Sequence, residues 1–124
     1  MSRKKQAIAA AFGAFLAGAA PSAIASPLTQ FATCAERYAV MDHYGPQPQG
    51  DDYATRSAWF ADLVDAVRST SVTDEALDDL RLDARVTVMV LLYQQRFSFD
   101  ARVAEGARRA LHRTLRECDG LTLG

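Results

Sequence analysis

DARVTVMVLLYQQRF, at residues 83–97, carries the strongest structural signal in the chain. Its centre, from Val86 to Tyr93, is apolar on almost every side and is interrupted only by Thr87. A helix at a protein surface has one apolar stripe, whereas a helix that is apolar all round is buried on all sides. The segment therefore predicts a buried central helix, with the rest of the chain packed around it.

A buried strand is the competing interpretation of this segment, because four of the five residues from Val86 to Val90 are β-branched. Two observations favour a helix. No Gly or Pro interrupts the segment, and residues with good helix propensity continue on both sides, from Asp74 to Gln95. We expect the third helix of the chain to extend from Asp74 to about Phe97.

The first 25 residues have the composition of an export signal. Basic residues at 3–5 precede 14 uncharged, mostly apolar residues at 7–20, and Ala23-Ile24-Ala25 places small residues where a signal peptidase cuts. We expect cleavage after Ala25 and a periplasmic or secreted product that begins at Ser26. The apolar segment is short for a transmembrane helix, and no later segment is long and charge-free enough to span a membrane.

Cleavage would change the charge of the chain. Removing 25 of the 124 residues leaves 99, enough for a single helical domain at 26–124 with a modest core. The signal takes 3 of the 14 basic residues and none of the 15 acidic ones, so the mature chain has a formal charge of 11 − 15 = −4. Such an acidic chain is unsuited to general nucleic-acid binding, which depends on neutralising phosphates.

The two cysteines, Cys34 and Cys118, both lie in the mature chain. In an oxidising compartment two cysteines are the minimum for one disulfide, and we expect them to form it. The alternatives are two buried free thiols or a metal pair, although a wide spacing without a CxxC motif is a poor metal signature. No CxxCH haem-attachment motif occurs, and we expect no cofactor.

Apolar residues at three- and four-residue steps predict three further helices. The first extends from about Leu28 to His43, and the second from about Asp52 to Ser69. The fourth extends from about Asp100 to Cys118, with Ser98 as its N-terminal cap and Gly120 as its end.

The predicted fold is all-α, a small antiparallel four-helix bundle. In an up-and-down bundle the first and last helices are antiparallel neighbours. Cys34 lies in the first half of the first helix and Cys118 at the end of the fourth. Antiparallel packing therefore places the two cysteines at similar heights along the bundle axis. The disulfide would then join the first and last helices beside the central one. A less regular orthogonal bundle is the alternative, because the connection after the first helix is long.

The sequence offers little for catalysis or metal binding. His43 and His112 are the only histidines, and their helical positions point away from the expected disulfide. The chain has no Glu-x-x-His motif of the di-iron bundles, no nucleophile elbow and no glycine-rich phosphate loop. We therefore expect a protein without enzymatic activity or a bound metal.

Arginines of the fourth helix form the best candidate for a binding site. They repeat along the side opposite its apolar residues, with Arg108 nearby, and arginine is enriched at binding hot spots. The alternative is an ordinary solvated face, partly neutralised by Glu105 and Glu117. As a site, it would dock an acidic protein, an anionic polymer or the acidic start of the third helix in a second copy. The residues are Arg102, Arg109, Arg113 and Arg116.

Three functions fit these features. The first is a small exported helical protein that binds or stabilises another macromolecule without chemistry of its own. The second is a carrier that holds a small ligand or a metal in the bundle interior. The third is an acid-stress periplasmic chaperone, a class that is also small, helical, exported and single-bridged, although no motif in the chain matches it. The sequence favours the first.

Overall fold

The computed structural model describes residues 26–46 and 52–123, and this part of the chain forms four α-helices and no strand. The predicted all-α class is confirmed for these residues. Most helix ends differ from the prediction by no more than two residues. The expected export signal at 1–25 and most of the connection after the first helix lie outside the described residues. The helices are α1 (Pro27–Tyr44), α2 (Tyr53–Val67), α3 (Asp74–Phe97) and α4 (Ala101–Leu123).

Polar side chains cap the helix starts. Ser26, Asp52 and Thr73 precede α1, α2 and α3, and each side chain accepts a hydrogen bond from the backbone N–H three residues later. The prediction that Ser98 caps α4 is wrong, because Ser98 ends α3. Asp100 stands directly before α4, and its carboxylate accepts the N–H two residues later at 2.9 Å. A carboxylate there is also favoured by the positive end of the helix dipole.

The core is organised around α1. Three clusters of buried side chains make up most of the core of the described residues, and each of them includes residues of α1. The first cluster joins α1 to α2 and α4 around Tyr38 and Phe60. The second joins α1 to α3 and α4 around Met41 and Val88. The third joins α1 to α2 and α3 around Val64. The first helix, rather than the third, is therefore the central one.

The prediction that residues 86–93 are buried on all sides is wrong. Val88 is buried, but Val86, Val90 and Tyr93 are 49%, 47% and 67% exposed. The reason is that α3 packs chiefly against α1 and α4, which leaves its outer side uncovered within the described structure. The absence of Gly and Pro and the helix-forming residues on both sides correctly favoured a helix over a strand, but the apolar composition of the segment did not place that helix at the centre.

The predicted disulfide between Cys34 and Cys118 is confirmed, with Cα atoms 5.6 Å apart across 84 positions of sequence. Both cysteines are buried. The bridge joins α1 to α4, as expected. Because α4 packs chiefly against α3 and has a smaller contact with α1, the bridge adds a covalent tie where the non-covalent contact is limited.

The fourth helix continues beyond its predicted end. We expected α4 to stop at Cys118 with Gly120 as the terminating residue, but it extends through Gly120 to Leu123. A glycine typically ends a helix by adopting a left-handed backbone conformation, and Gly120 lies within the helix instead. The additional turn is attached to the rest of the fold by Asp119, whose carboxylate contacts both α1 and α2.

Candidate functional site

All four arginines of the predicted binding site are exposed on α4. At 100° per residue they fall within an arc of about 60° and along about 21 Å of helix. The opposite side of α4 is held in the core by Ala107, Leu111 and Cys118. The fold therefore brings the predicted residues together on one side, which we call the arginine face. It consists of Arg102, Arg109, Arg113 and Arg116.

Neighbouring carboxylates neutralise little of the arginine face. Glu105 pairs with Arg108 at 2.5 Å and lies 3.6 Å from Arg109. The hydrogen bond from Arg108 holds the pKa of Glu105 below its ordinary value, so this carboxylate stays ionised and is shared with an arginine outside the face. Glu117, the other predicted neutralising residue, pairs instead with Arg37 of α1 at 2.9 Å. Within the described residues, no ion pair involves Arg102, Arg113 or Arg116.

Several arginines of the other helices and connections help to hold the fold together. Arg85 of α3 pairs with Glu36 of α1 at 2.8 Å, and Arg96 donates a hydrogen bond to the carbonyl of Tyr44 at 2.9 Å. Arg68, directly after α2, pairs with Asp74 at the start of α3 at 2.5 Å. These side chains link one element to another. The arginine face has no comparable role in the described structure, so its substitution should leave the fold intact.

A polar cluster beside the disulfide was not predicted from the sequence. Tyr38, fully buried in α1, donates its hydroxyl to the carboxylate of Asp119 in α4. Arg56 of α2 donates to the same carboxylate oxygen at 2.7 Å, and its guanidinium lies 5.6 Å from the centre of the Tyr38 ring. Burial, and then the Asp119 carboxylate, raises the pKa of Tyr38, so its hydroxyl remains a donor. The cluster fastens three helices around the bridge.

Arg37 strengthens the same junction. Its guanidinium donates to the backbone carbonyl of Thr114 and to the carboxylate of Glu117, each at 2.9 Å. The residues joined by these contacts and by the contact from Tyr38 to Asp119 lie 77 to 81 positions apart. No local pattern in a single sequence indicates which polar residues meet at that separation. The only signal was indirect, because Asp119 directly follows a bridged cysteine.

The two histidines are not brought together. Both are exposed, and they line separate surface depressions, His43 beside Glu36 and Arg85, and His112 beside Gln95. Over residues 26–46 and 52–123, no three His, Cys, Asp or Glu side chains gather into a possible metal site.

Comparison of the chain with protein-family models, with curated proteins and with solved structures found no match. No described helix combines the length and the apolar character needed to cross a membrane. Function is therefore inferred from the surface of the molecule, and the arginine face is the feature that both the sequence pattern and the fold single out.

Proposed function

We propose that the protein is a small exported binding protein, without catalytic activity, that docks an acidic surface of another macromolecule through the arginine face. One observation carries the proposal. Four exposed guanidinium groups share one side of α4, while the nearest carboxylates are engaged by Arg108 and Arg37. Guanidinium groups form bidentate, charge-assisted hydrogen bonds with carboxylates, and arginine is the preferred residue for such interfaces.

The expected strength of this docking is moderate. Exposed ion pairs contribute roughly 0.2–1 kcal/mol each, so four of them correspond to no more than about a thousandfold in affinity. Their larger effect is on encounter, because complementary charge speeds association and selects between partners. Binding should therefore weaken markedly as the salt concentration rises.

Combined substitution of Arg109, Arg113 and Arg116 by Gln tests the proposal. We expect affinity capture from the periplasm of the native host to lose the partner that the wild-type protein retains, while the far-UV circular dichroism spectrum stays the same. Arg81→Gln is the control, because it removes the same charge from α3, outside the arginine face, and leaves the pairing of Glu105 with Arg108 intact.

The single substitutions sharpen the comparison. Arg113→Gln alone should weaken capture and reduce its sensitivity to salt, because one screened ion pair is lost, whereas Arg81→Gln should leave both unchanged. Capture that survives the triple substitution, or that is lost equally with Arg81→Gln, would remove the arginine face as the docking site.

Export is part of the same proposal. Ser26 caps α1, since its hydroxyl oxygen accepts the N–H of Thr29 at 3.1 Å. Cleavage after Ala25 would leave this cap, the four helices and both cysteines in the mature chain. The disulfide supports an oxidising destination, because such bridges persist there. Fractionation of the native host should recover a shortened chain outside the cytoplasm, and a full-length cytoplasmic chain would contradict export.

We also propose that successive helices run antiparallel. The support is the shortness of two connections, residues 68–73 between α2 and α3 and residues 98–100 between α3 and α4. Short connections place consecutive helices side by side in opposite directions. Spin labels at the start of α3 and near the end of α4 should therefore give a short distance, and a separation comparable to the helix length would exclude this order.

A further inference from the structure

The third helix has two apolar faces, and residues 26–46 and 52–123 cover only one of them. Leu77, Ala84, Val88 and Leu92 are buried against the other helices. The opposite side carries six large apolar side chains, each between 39% and 67% exposed. We call this set the outer face of α3. It consists of Leu82, Val86, Met89, Val90, Tyr93 and Phe97.

The outer face forms one continuous strip. At 100° per residue its side chains fall within an arc of about 100° and extend over roughly 22 Å of helix. The rings of Tyr93 and Phe97 have their centres 5.1 Å apart, and Tyr44, at the end of α1, lines a shallow cavity with them and with Met89. The exposed surface of the six side chains of the outer face is on the order of 600 Å². This is at the upper end of the area that a monomer exposes in one apolar patch.

We propose that a second copy of this chain covers the outer face of α3, so that the protein is a two-fold symmetric homodimer. Leu82, Val86, Met89 and Tyr93 follow one another at steps of four, three and four residues, the seam spacing by which one helix packs along another. With its polar border, an apolar strip of roughly 600 Å² approaches the ~800 Å² that each partner buries in a standard interface. Two-fold pairing of a surface with itself is the commonest form of oligomer.

Charge and shape favour an antiparallel pairing of the two α3 helices. Five acidic residues and one basic residue, Arg81, lie between positions 74 and 83, a net charge of 1 − 5 = −4, whereas Arg96 lies near the end of the helix. Parallel pairing would set the acidic starts beside each other, and antiparallel pairing separates them and brings Arg96 towards the acidic half of the second copy. The strip is centred between Met89 and Val90, so antiparallel pairing sets Val86 of one copy opposite Tyr93 of the other, a smaller side chain against a larger one.

The dimer does not depend on the acidic partner proposed for the arginine face. The outer face lies on α3 and the arginine face on α4, and no residue belongs to both. Self-association can therefore be measured on the purified mature protein alone.

Sedimentation velocity of the oxidised mature protein over a range of concentrations tests the dimer. We expect a monomer–dimer equilibrium with a Kd at or below the micromolar range. Val90→Glu should weaken dimerisation by at least ~100-fold, because it buries an unpaired charge at the centre of the interface. Val67→Glu is the matched control, since Val67 on α2 is 42% exposed against 47% for Val90, and it should dimerise like the wild-type protein. Circular dichroism of both variants checks that the fold is retained.

Single cysteines on the outer face test the orientation. Antiparallel pairing brings the two copies of position 90 to nearly the same height and separates the two copies of position 82 by about 22 Å. Val90→Cys should give a disulfide-linked dimer under mild oxidation, and Leu82→Cys should not. Equal cross-linking at position 82 would overturn the antiparallel orientation. Three results would each overturn the homodimer. The wild-type protein could stay monomeric, or Val67→Glu could dissociate like Val90→Glu. The third is that the outer face of α3 binds a different protein and not a second copy.

Discussion

Removal of the disulfide between Cys34 and Cys118 should be the most destabilising change that leaves the surface of the protein untouched. The bridge closes a loop of 84 positions, for which the loss of chain entropy in the unfolded state corresponds to about 4.5 kcal/mol at 25 °C. Small domains have free energies of unfolding of roughly 5–15 kcal/mol. Loss of the bridge should therefore remove a large part of the stability of this domain.

The assay compares the Cys34→Ala/Cys118→Ala double variant with the oxidised wild-type protein in urea, followed by far-UV circular dichroism. Both cysteines are buried, so alanine avoids leaving an unpaired hydroxyl in the core, and the small voids add about 1 kcal/mol to the loss. For a domain of this size, the combined loss of about 5.5 kcal/mol corresponds to a fall in Tm of roughly 20–45 °C. The wild-type protein with a reductant should lose about 4.5 kcal/mol, because it keeps both side chains and has no voids, and the reductant should not affect the double variant.

A loss of less than about 1 kcal/mol in both the double variant and the reduced wild-type protein would refute this reasoning. It would mean that the contacts of Tyr38, Arg37 and Arg56 with α4 hold the two ends of the chain together without the bridge. A loss in the double variant that the reductant does not reproduce would instead assign the effect to packing around the two side chains.

Phe60→Ala should lower the free energy of unfolding by about 3–5 kcal/mol, because Phe60 is fully buried. Trp59→Ala should lower it by less, because Trp59 is 45% exposed. Urea melts that give equal losses would contradict the described core. Gly45→Ala should destabilise by about 1–3 kcal/mol, because the added Cβ would lie 2.6 Å from a methionine Cε and 2.9 Å from a backbone oxygen. Gly106→Ala, in a helix and facing open space, should instead raise stability by about 0.5–1 kcal/mol. Urea melts of both glycine variants check these signs, and opposite signs would disprove both assignments. The raised pKa of Tyr38 means that the unfolded chain ionises first, so stability should hold up to about pH 10 and fall above it. Tyr38→Phe should lower stability at neutral pH and lessen that alkaline fall, and an identical fall in the variant would show that this hydroxyl is not its source.

Local patterns in the sequence were sufficient to predict the helices and the disulfide. Apolar steps of three and four residues mark each helix, because side chains at that spacing share one side of it. The pairing of Cys34 with Cys118 followed from the number of cysteines and the expected compartment. The arginine face was also predictable, since it depends only on the spacing of residues within one helix.

The position of α3 was not predictable in the same way. The composition of residues 86–93 shows that every side of this helix is apolar, but it does not show what covers each side. In the described structure α1 and α4 contact one side, and the proposed second copy would cover the other.

The polar junction around the bridge lay beyond sequence reasoning for another reason. Tyr38 and Asp119 meet across 81 positions, and each belongs to a residue type that occurs at many surface sites. Only the fold shows that the carboxylate of Asp119 accepts hydrogen bonds from both Tyr38 and Arg56. The same long-range contacts hold α4 beyond Cys118, where the sequence predicted its end.

Intact-mass spectrometry of the protein recovered from the native host tests both its export and the formation of the disulfide between Cys34 and Cys118. We predict a single species that comprises residues 26–124, is lighter than the reduced chain by two thiol hydrogens, and takes up an alkylating reagent only after reduction and unfolding. A species that retains residues 1–25, or one in which Cys34 and Cys118 are alkylated without reduction, would contradict an exported domain held shut by this bridge.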